Sequence, residues 1–431
     1  MSTIDSGNSS GPVPARSSVT ERRPLWAGRT LALVGIVLVA FNLRTAVASL
    51  SPILAELERD ISLTPLVIGF LGMLPPLCYA VFGIVTPLFT KRLGLELTLI
   101  VSLAALSVGL LGRGIAGDAL WLVATSALTF AAIGVGNVLL PPLVKRYFPD
   151  RIGLMTTLYV TAMSVSTLVP PLVAVPVADV AGWRTSLGQW AVVAALCLVP
   201  WIALLVHPRR VNGAAFPEEV QPGLLRYALR SPLAWALAVV FAVAGFNAYA
   251  MFAWLPPMLH DIAGVSPSEA GALLSLYAAM GLPAGLIVPI VAARYGHLRL
   301  LIGIAVVTLV VGGLGLLLVP TVATWLWVAL AGTGPLLFPL SIVLINLRTR
   351  TQEGAVALSG FVQSVGYLIV AAGPLTVGIL HEATGGWVLP LLVLIGSAVA
   401  AAIGGAIVSR PRSTADATRR RRRSRRRRPN R

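Results

Sequence analysis

Charge is what this chain has least of. Asp, Glu, Lys and Arg make up 11% of its 431 residues, where a soluble protein carries about 25%. That scarcity excludes an ordinary soluble enzyme. Lysine is nearly missing: Lys91 and Lys145 stand among 33 basic residues, and arginine supplies the rest. The two cysteines, Cys78 and Cys197, both fall inside apolar runs. They form no disulfide or metal framework and read as small buried side chains. No P-loop, no H-E-x-x-H and no Gly-rich phosphate turn occurs, so no enzyme, cofactor, metal or ATP-driven pump is expected. Deep carboxylates are missing from the apolar runs, which leaves proton symport through an Asp or Glu relay without support. Met1 to Thr20 is polar and rich in Ser, Gly and Pro. It lacks the apolar core of a signal peptide, so the first apolar run is expected to be retained.

What is present is apolar sequence. Hydrophobic residues make up 57% of the chain, and the mean hydropathy is +0.86. Runs of membrane-spanning length recur from end to end. Continuous rather than alternating runs exclude a strand barrel, so the spans are helices. Twelve are expected, at 30–54, 65–90, 95–113, 119–144, 152–177, 186–206, 232–257, 269–293, 299–320, 322–345, 355–381 and 387–409. The fold class is thus all-α and integral to the membrane. Residues 1–29 form an N-terminal tail, 30–206 and 232–409 two six-helix halves, 207–231 a linker, and 410–431 an Arg-rich tail.

The net charge of +17 invites a nucleic-acid reading, but its placement argues otherwise. Ten of the 33 basic residues are arginines between Arg419 and Arg431. This run repels itself, and anionic lipid would attract it at ~1 kcal/mol per residue near a surface. The N-terminal segment and the even-numbered loops hold most of the other basic residues, Arg29, Lys91, Arg92, Lys145, Arg146, Arg209, Arg210 and Arg294 among them. The odd-numbered loops hold only Arg59, Arg113 and Arg184. The positive-inside rule then puts both termini in the cytoplasm. Arginine in place of lysine, with abundant Ala and Val, fits a high-GC bacterial genome and hence the inner membrane. A monomer, with a small-molecule substrate and no nucleic-acid partner, is expected.

The halves repeat. Phe41-Asn42 recurs as Phe246-Asn247, and Leu50-x-Pro52-x-Leu54 as Leu255-x-Pro257-x-Leu259. Thr64-Pro65 matches Ser266-Pro267, Gly134-x-Gly136 matches Gly332-x-Gly334, and Gly182-Trp183 matches Gly386-Trp387. Their common order across six spans indicates duplication. Six spans return the chain to its starting side, so the repeats are parallel and a site is expected at the midplane between them.

Arg44 is the exception inside the first span. It lies about 20 Å in from Leu31 at 1.5 Å per residue, where a guanidinium costs at least ~2.5–3.5 kcal/mol. Three roles are open to it: binding an anionic or dipolar solute with its planar fork, structural satisfaction by carbonyls and water, or pairing with a carboxylate at a gate. Its counterpart in the repeat is Tyr249. Asn42, Asn247 and Asn137 could face a solute or bond between helices. Gln363 and Tyr367, four residues apart on one helical face, are further candidates for a cavity wall. Tyr159 and Trp254 are candidates too, although aromatics near interfaces commonly act as anchors. His381-Glu382 reads as an interface pair. Prolines within spans, among them Pro52, Pro75, Pro76, Pro141, Pro142, Pro170, Pro171, Pro256 and Pro257, are expected to kink them.

At Phe41-Asn42-Leu43-Arg44 the sequence resembles the cyanate and 2-nitroimidazole transporter branch of the major facilitator superfamily. Leu140-Pro141-Pro142 through Arg151, Gly182-Trp183-Arg184, Leu358-Ser359-Gly360, Gln363-Ser364-Val365-Gly366-Tyr367 and Gly385-Gly386-Trp387 carry the same likeness. It implies the twelve-helix major facilitator fold and transport by alternating access. The superfamily's loop motif is G-x-x-x-D-R-x-G. Here Pro87 and Lys91 replace its first Gly and its Asp, and Pro289 and Ala293 do so in the second half. Arg92, Gly94, Arg294 and Gly296 remain as the gating-loop residues the resemblance implies. Organophosphate antiporters of the superfamily use an Arg in each half, so a single Arg implies a monovalent or neutral polar solute. The expected function is transport of a small anion such as cyanate or a carboxylate. The alternative is export of neutral or nitroaromatic drugs, with Trp254, Tyr249 and Tyr367 as stacking surfaces.

Overall fold

The computed structural model describes residues 29–206, 229–349 and 352–409. The expected linker up to residue 228, the Arg-rich tail, and the N-terminal tail up to residue 28 fall outside the described residues. Every described element is helical. Among the described residues, eleven stretches are long and apolar enough to cross a membrane, and Trp190–Val206 adds a shorter one of 17 residues.

The first crossing is α1 (Thr30–Ala48), a 3-10 turn (Ser51–Ile53) and α2 (Leu54–Asp60). It breaks just ahead of Pro52, where the missing N–H makes a continuous helix costly. Then come α3 (Pro65–Leu93), α4 (Leu95–Gly114), α5 (Ala119–Tyr147), α6 (Ile152–Gly188) and α7 (Trp190–Val206). The second half holds α8 (Pro232–Ala263), α9 (Pro267–Ala279) with α10 (Gly281–Ile290), and α11 (Leu298–Leu318). It ends with α12 (Thr324–Thr333), a 3-10 turn (Gly334–Leu336) and α13 (Leu337–Arg348) as one crossing, then α14 (Gln352–Thr384) and α15 (Val388–Val408). Pro75, Pro76, Pro141, Pro142, Pro170, Pro171, Pro256 and Pro257 lie inside continuous helical stretches, and α6 leaves helical geometry only at Gly182, beyond Pro170 and Pro171. The breaks fall instead at Pro52, at Gly182, at Met280 and at Gly334-Pro335.

Repeated sequence gives repeated structure. The Thr64 and Ser266 hydroxyls accept from Val67 N and Glu269 N, and Pro65 and Pro267 occupy the first helical turn. Each cap satisfies an orphan amide where the helix begins. The Gly-Trp pairs have matching roles. Trp183 Nε1 donates to Asp60 Oδ2 at 2.9 Å, and Trp387 Nε1 donates to Asp261 Oδ2 at 2.8 Å. Each indole thus ties the junction between the fifth and sixth spans of its half to the end of the first.

Twelve crossings bring the chain back to the side on which it starts. The halves meet most intimately on the opposite side, called the far side below. An apolar cluster there joins Ala48, Leu54 and Ile68 of the first half to Met251, Leu255 and Leu274 of the second. On the side of the termini each half keeps its own cluster. Two hydrogen bonds cross the far-side seam: Ser51 Oγ donates to Phe252 O at 2.6 Å, and Ser275 Oγ to Leu168 O at 2.9 Å. Backbones approach so closely that a Cβ on Gly378 would stand 2.7 Å from Pro65 O, and one on Gly271 2.5 Å from Pro171 O. In lipid, where burial between helices has no hydrophobic drive, small residues of this kind permit the packing that holds helices together. The structure is closed on the far side.

On the side of the termini, Arg29 clasps the loop after α5. Its Nη1 and Nη2 donate to Asp150 Oδ1 and Oδ2 at 2.6 and 3.0 Å, and Nη1 also donates to Tyr147 O at 3.0 Å. Arg146 Nε pairs with Glu96 at 3.0 Å beside it. The Arg29 hydrogen bonds hold the Asp150 carboxyl down at about 2.

Two outcomes follow. Gly271→Val overpacks the far-side seam, at ~1–3 kcal/mol, and so should reduce the far-closed population about tenfold. The check is faster labelling of Val47→Cys by an impermeant thiol reagent from the far side, with Cys78 and Cys197 replaced by serine. The Asp150 clasp gives stability above the ordinary carboxylate value of about 3.9 and loses it as pH falls towards about 2. Asp150→Asn should therefore lower Tm at neutral pH, and thermal unfolding of parent and variant should converge only across that acidic window.

Candidate functional site

Arg44 sits fourteen residues beyond the start of α1, roughly 21 Å along the helix axis. Its guanidinium lies 5.7 Å from the ring centroid of Tyr79 on α3. Tyr249 on α8 and Tyr367 on α14 are its other electrostatic neighbours. Tyr79 and Tyr367 meet edge to face across the seam between halves, with centroids 6.2 Å apart at 84°. One cation from the first half is therefore surrounded by phenols from both. Arg44 Nη1 is enclosed and has no hydrogen-bond partner in the protein. The side chain as a whole keeps intermediate exposure, whereas Asn42, Leu43 and Thr45 beside it are buried. Arg44 thus faces an interior space rather than the packed core of its half. Its repeat counterpart, Tyr249, faces it from the other half.

The asparagines turn inward. Asn42 Nδ2 donates to Leu38 O at 2.9 Å, and Asn247 Nδ2 donates to Val243 O and to Ser397 Oγ at 2.9 and 2.8 Å. Both are at most 1% exposed. Their Oδ1 atoms have no protein partner. Asn137, half-buried, donates to Ile133 O within its own helix at 3.1 Å. The glycines before it serve close packing: a Cβ on Gly136 would stand 2.7 Å from Leu43 Cδ2. Gln363 and Tyr367 are both half-buried on α14 as their spacing implied, and Gln363 Nε2 donates to Ser359 Oγ at 2.7 Å.

The structure ties up one candidate elsewhere. Trp254 is 4% exposed, donates its Nε1 to Pro374 O at 2.8 Å, and packs on His381 and Trp387. It welds α8 to α14 on the far side and offers no free stacking face. Tyr159 packs against the core of the first half. The loop residues Arg92 and Arg294 are exposed at the ends of their crossings, and Gly94 and Gly296 carry the chain round at φ of 80° and 66°.

Arg113 requires a correction. Counted from the sequence as an external loop residue, it is 1% exposed and points into the protein. Its Nη1 donates to Ala46 O on α1 at 3.1 Å, and its guanidinium lies 5.8 Å from the Phe130 centroid. The last turn of α4 tucks under neighbouring helices, so the side chain runs inward instead of snorkelling out. Arg113 lines a cavity of about 30 Å³ with Ser126, Phe130, Tyr249 and Phe252. That space holds about one or two waters. Sequence reasoning missed Arg113, Tyr79 and Ser126. The available signals were glycines on both sides of Arg113, which allow close approach, and a phenol at the middle of the second span.

Residues 34–374 match the family model of the Major Facilitator Superfamily. The chain is 30% identical over 366 residues to the 2-nitroimidazole transporter of Escherichia coli (strain K12), covering 84% of this chain and 91% of that protein. It is 25% identical over 373 residues to the cyanate transport protein CynX of the same organism, covering 84% and 94%. In fold it resembles the crystal structure of a bacterial homolog to the human lysosomal transporter Spinster, in an inward-facing and occupied conformation. That match has a TM-score of 0.69 and 16% identity, and covers 88% of this chain and 93% of that one.

The placement of Trp254 separates structure from transport. Trp254→Phe removes the indole hydrogen bond to Pro374 O, a loss of about 0.5–1.5 kcal/mol. It should lower Tm in thermal unfolding while leaving the KM for any transported solute within about twofold of the parent.

Proposed function

The chain belongs to the major facilitator superfamily and is a transporter; from that premise we propose that its cargo is a small solute with a negative end, held at Arg44. The observation that carries this reading is the guanidinium itself. It lies at mid-membrane depth, and its electrostatic neighbours are the phenols of Tyr249, Tyr79 and Tyr367 rather than a carboxylate. A phenol orients its dipole towards a cation but leaves the net charge in place. An anion removes that charge and gains a planar, forked donor in return.

The same geometry supports alternating access. Arg44 and Tyr79 belong to the first half, Tyr249 and Tyr367 to the second. An anion on Arg44 within reach of the opposite phenols ties the halves together at their midplane. Neutralising the buried cation lowers the cost of closing low-dielectric protein around it, so the loaded carrier switches more readily than the empty one. The closed far side makes this the state that exchanges solute with the side of the termini. The arginine-rich loops on that side support reading it as the cytoplasm, and arginine in place of lysine supports a bacterial inner membrane.

A second reading draws on the three phenols. They offer aromatic edges and faces to a flat solute, and a nitro group presents two oxygens much as a carboxylate does. One relative is named for 2-nitroimidazole. Arg44 would then anchor a dipole rather than a charge.

Thermal-shift titration of purified parent and Arg44→Gln with cyanate, benzoate and 2-nitroimidazole decides between them. On the anion reading, cyanate or benzoate raises the Tm of the parent, and the variant needs at least about tenfold more ligand. That factor matches loss of a charge-assisted hydrogen bond of about 1.5–3 kcal/mol. Equal responses from parent and variant to an anion overturn it. Stabilisation by 2-nitroimidazole alone, equal in both proteins, establishes the dipole reading in its place.

A further inference from the structure

Arg113 has no part in the Arg44 site as described, yet it is a second buried guanidinium. Arginines near span ends ordinarily extend outward to water. This one turns inward and grips the carbonyl of Ala46, two residues beyond Arg44 on α1. The bond satisfies Nη1 alone: Nε is equally enclosed and has no protein partner. Across the cavity Ser126 is 0% exposed, and its Oγ also lacks a partner. Two unpartnered buried donors therefore line one small space. Burying a cation with donors to spare costs several kcal/mol, more than a structural tie to one carbonyl returns.

We propose that Arg113 and Ser126 form a second anion-binding subsite, lying on the far side of Arg44 and receiving the negative end of the solute on its way to or from Arg44. The inference rests on the reading of Arg44 as an anion anchor and extends it along the pathway. Geometry supports the placement. The cavity is lined by the end of α1, the start of α3, the end of α4, the start of α5 and the far part of α8. All of these lie towards the far side. Tyr249 belongs to both places, lining the cavity and neighbouring Arg44. Apart from Ser51, whose hydroxyl is spent on Phe252 O, the remaining wall, Ile68, Leu71, Phe130 and Phe252 among it, is apolar. The ligand class is a small monoanion with one oxyanion end and a compact or apolar body. The guanidinium and the Ser126 hydroxyl can both donate to that end. In the far-closed state the space holds little more than this end. Opening the seam at Ser51–Phe252 enlarges it, because both residues line the same cavity.

The test uses the full-length chain in membranes with Cys78 and Cys197 replaced by serine. Ser126→Cys is labelled from the far side with two impermeant methanethiosulfonates, one bearing a sulfonate and the other a trimethylammonium. The sulfonate reagent should react at least about tenfold faster, the range expected for a focusing charge in a low-dielectric cleft. Cyanate or benzoate should slow it, and adding Arg113→Gln should abolish the preference. Arg113→Lys, which keeps the charge and guards against misfolding, should retain it. Equal rates for the two reagents, no labelling by either, or a preference that survives Arg113→Gln overturns the subsite. Arg44→Gln, labelled in parallel, should keep the reagent preference while losing anion transport. If that variant transports like the parent, the Arg44 reading fails while the labelling result still decides the subsite.

Discussion

An arginine at mid-membrane depth with no carboxylate beside it is the constraint on which the rest depends. A guanidinium there is unfavourable in lipid and in a packed core alike. The fold places it in neither. α1 lays Asn42, Leu43 and Thr45 into the core of the first half and leaves Arg44 on the face turned to the second. Phenols from α3, α8 and α14 converge on it. They orient dipoles towards the charge without cancelling it. A carboxylate in their place would satisfy the arginine permanently and leave a solute nothing to gain. The site is therefore held in an incompletely satisfied state, and a binding site for a weakly held anion needs just that.

Such a site transports only if the walls around it can exchange openings. The far side is shut by features that favour reversible contact. Hydroxyls of Ser51 and Ser275 reach carbonyls across the seam, and glycines bring backbones together without interlocking large side chains. Contacts of this type are individually modest. Their loss on opening is small enough for solute binding to offset. By contrast the joints within each half are firm: an indole bonded to a carboxylate at Trp183–Asp60 and Trp387–Asp261, and a bidentate arginine clasp at Arg29–Asp150. Rigid halves with a yielding seam are the physical requirement for rocking.

Much of this could be read in the sequence because the bilayer simplifies the question. Apolar run length fixed the spans, and the order of shared motifs indicated two parallel halves. The Thr64-Pro65 and Ser266-Pro267 matches turned out to be helix caps and the Gly-Trp matches to be side-chain latches, so repetition had marked working joints. What escaped was direction. Asn42 is two residues from Arg44 in sequence yet faces the core of its half. Trp254 shares a helix with Tyr249 but is consumed by Pro374 and His381. Arg113 was misplaced because loop counting treats a span end as exposed, whereas the last turn of α4 is overlaid by other helices. Spacing along one helix says which residues share a face, and only packing decides what that face meets.

The duplication also accounts for the chemistry. Two identical halves would put the same residue on both sides of the central axis. Paired arginines at positions 44 and 249 would repel each other in a low-dielectric space unless a doubly charged anion lay between them. Here the caps, latches and tight helix contacts keep the repeat symmetry, and the axis does not: Arg44 faces Tyr249. A single charge opposed by a neutral donor suits one negative charge on the solute, with the phenol free to accept or donate to whatever lies beside it. The asymmetry is confined to the residues that touch the central space. The scaffold can then keep the geometry of rocking while the charge balance at the axis sets which solute completes it.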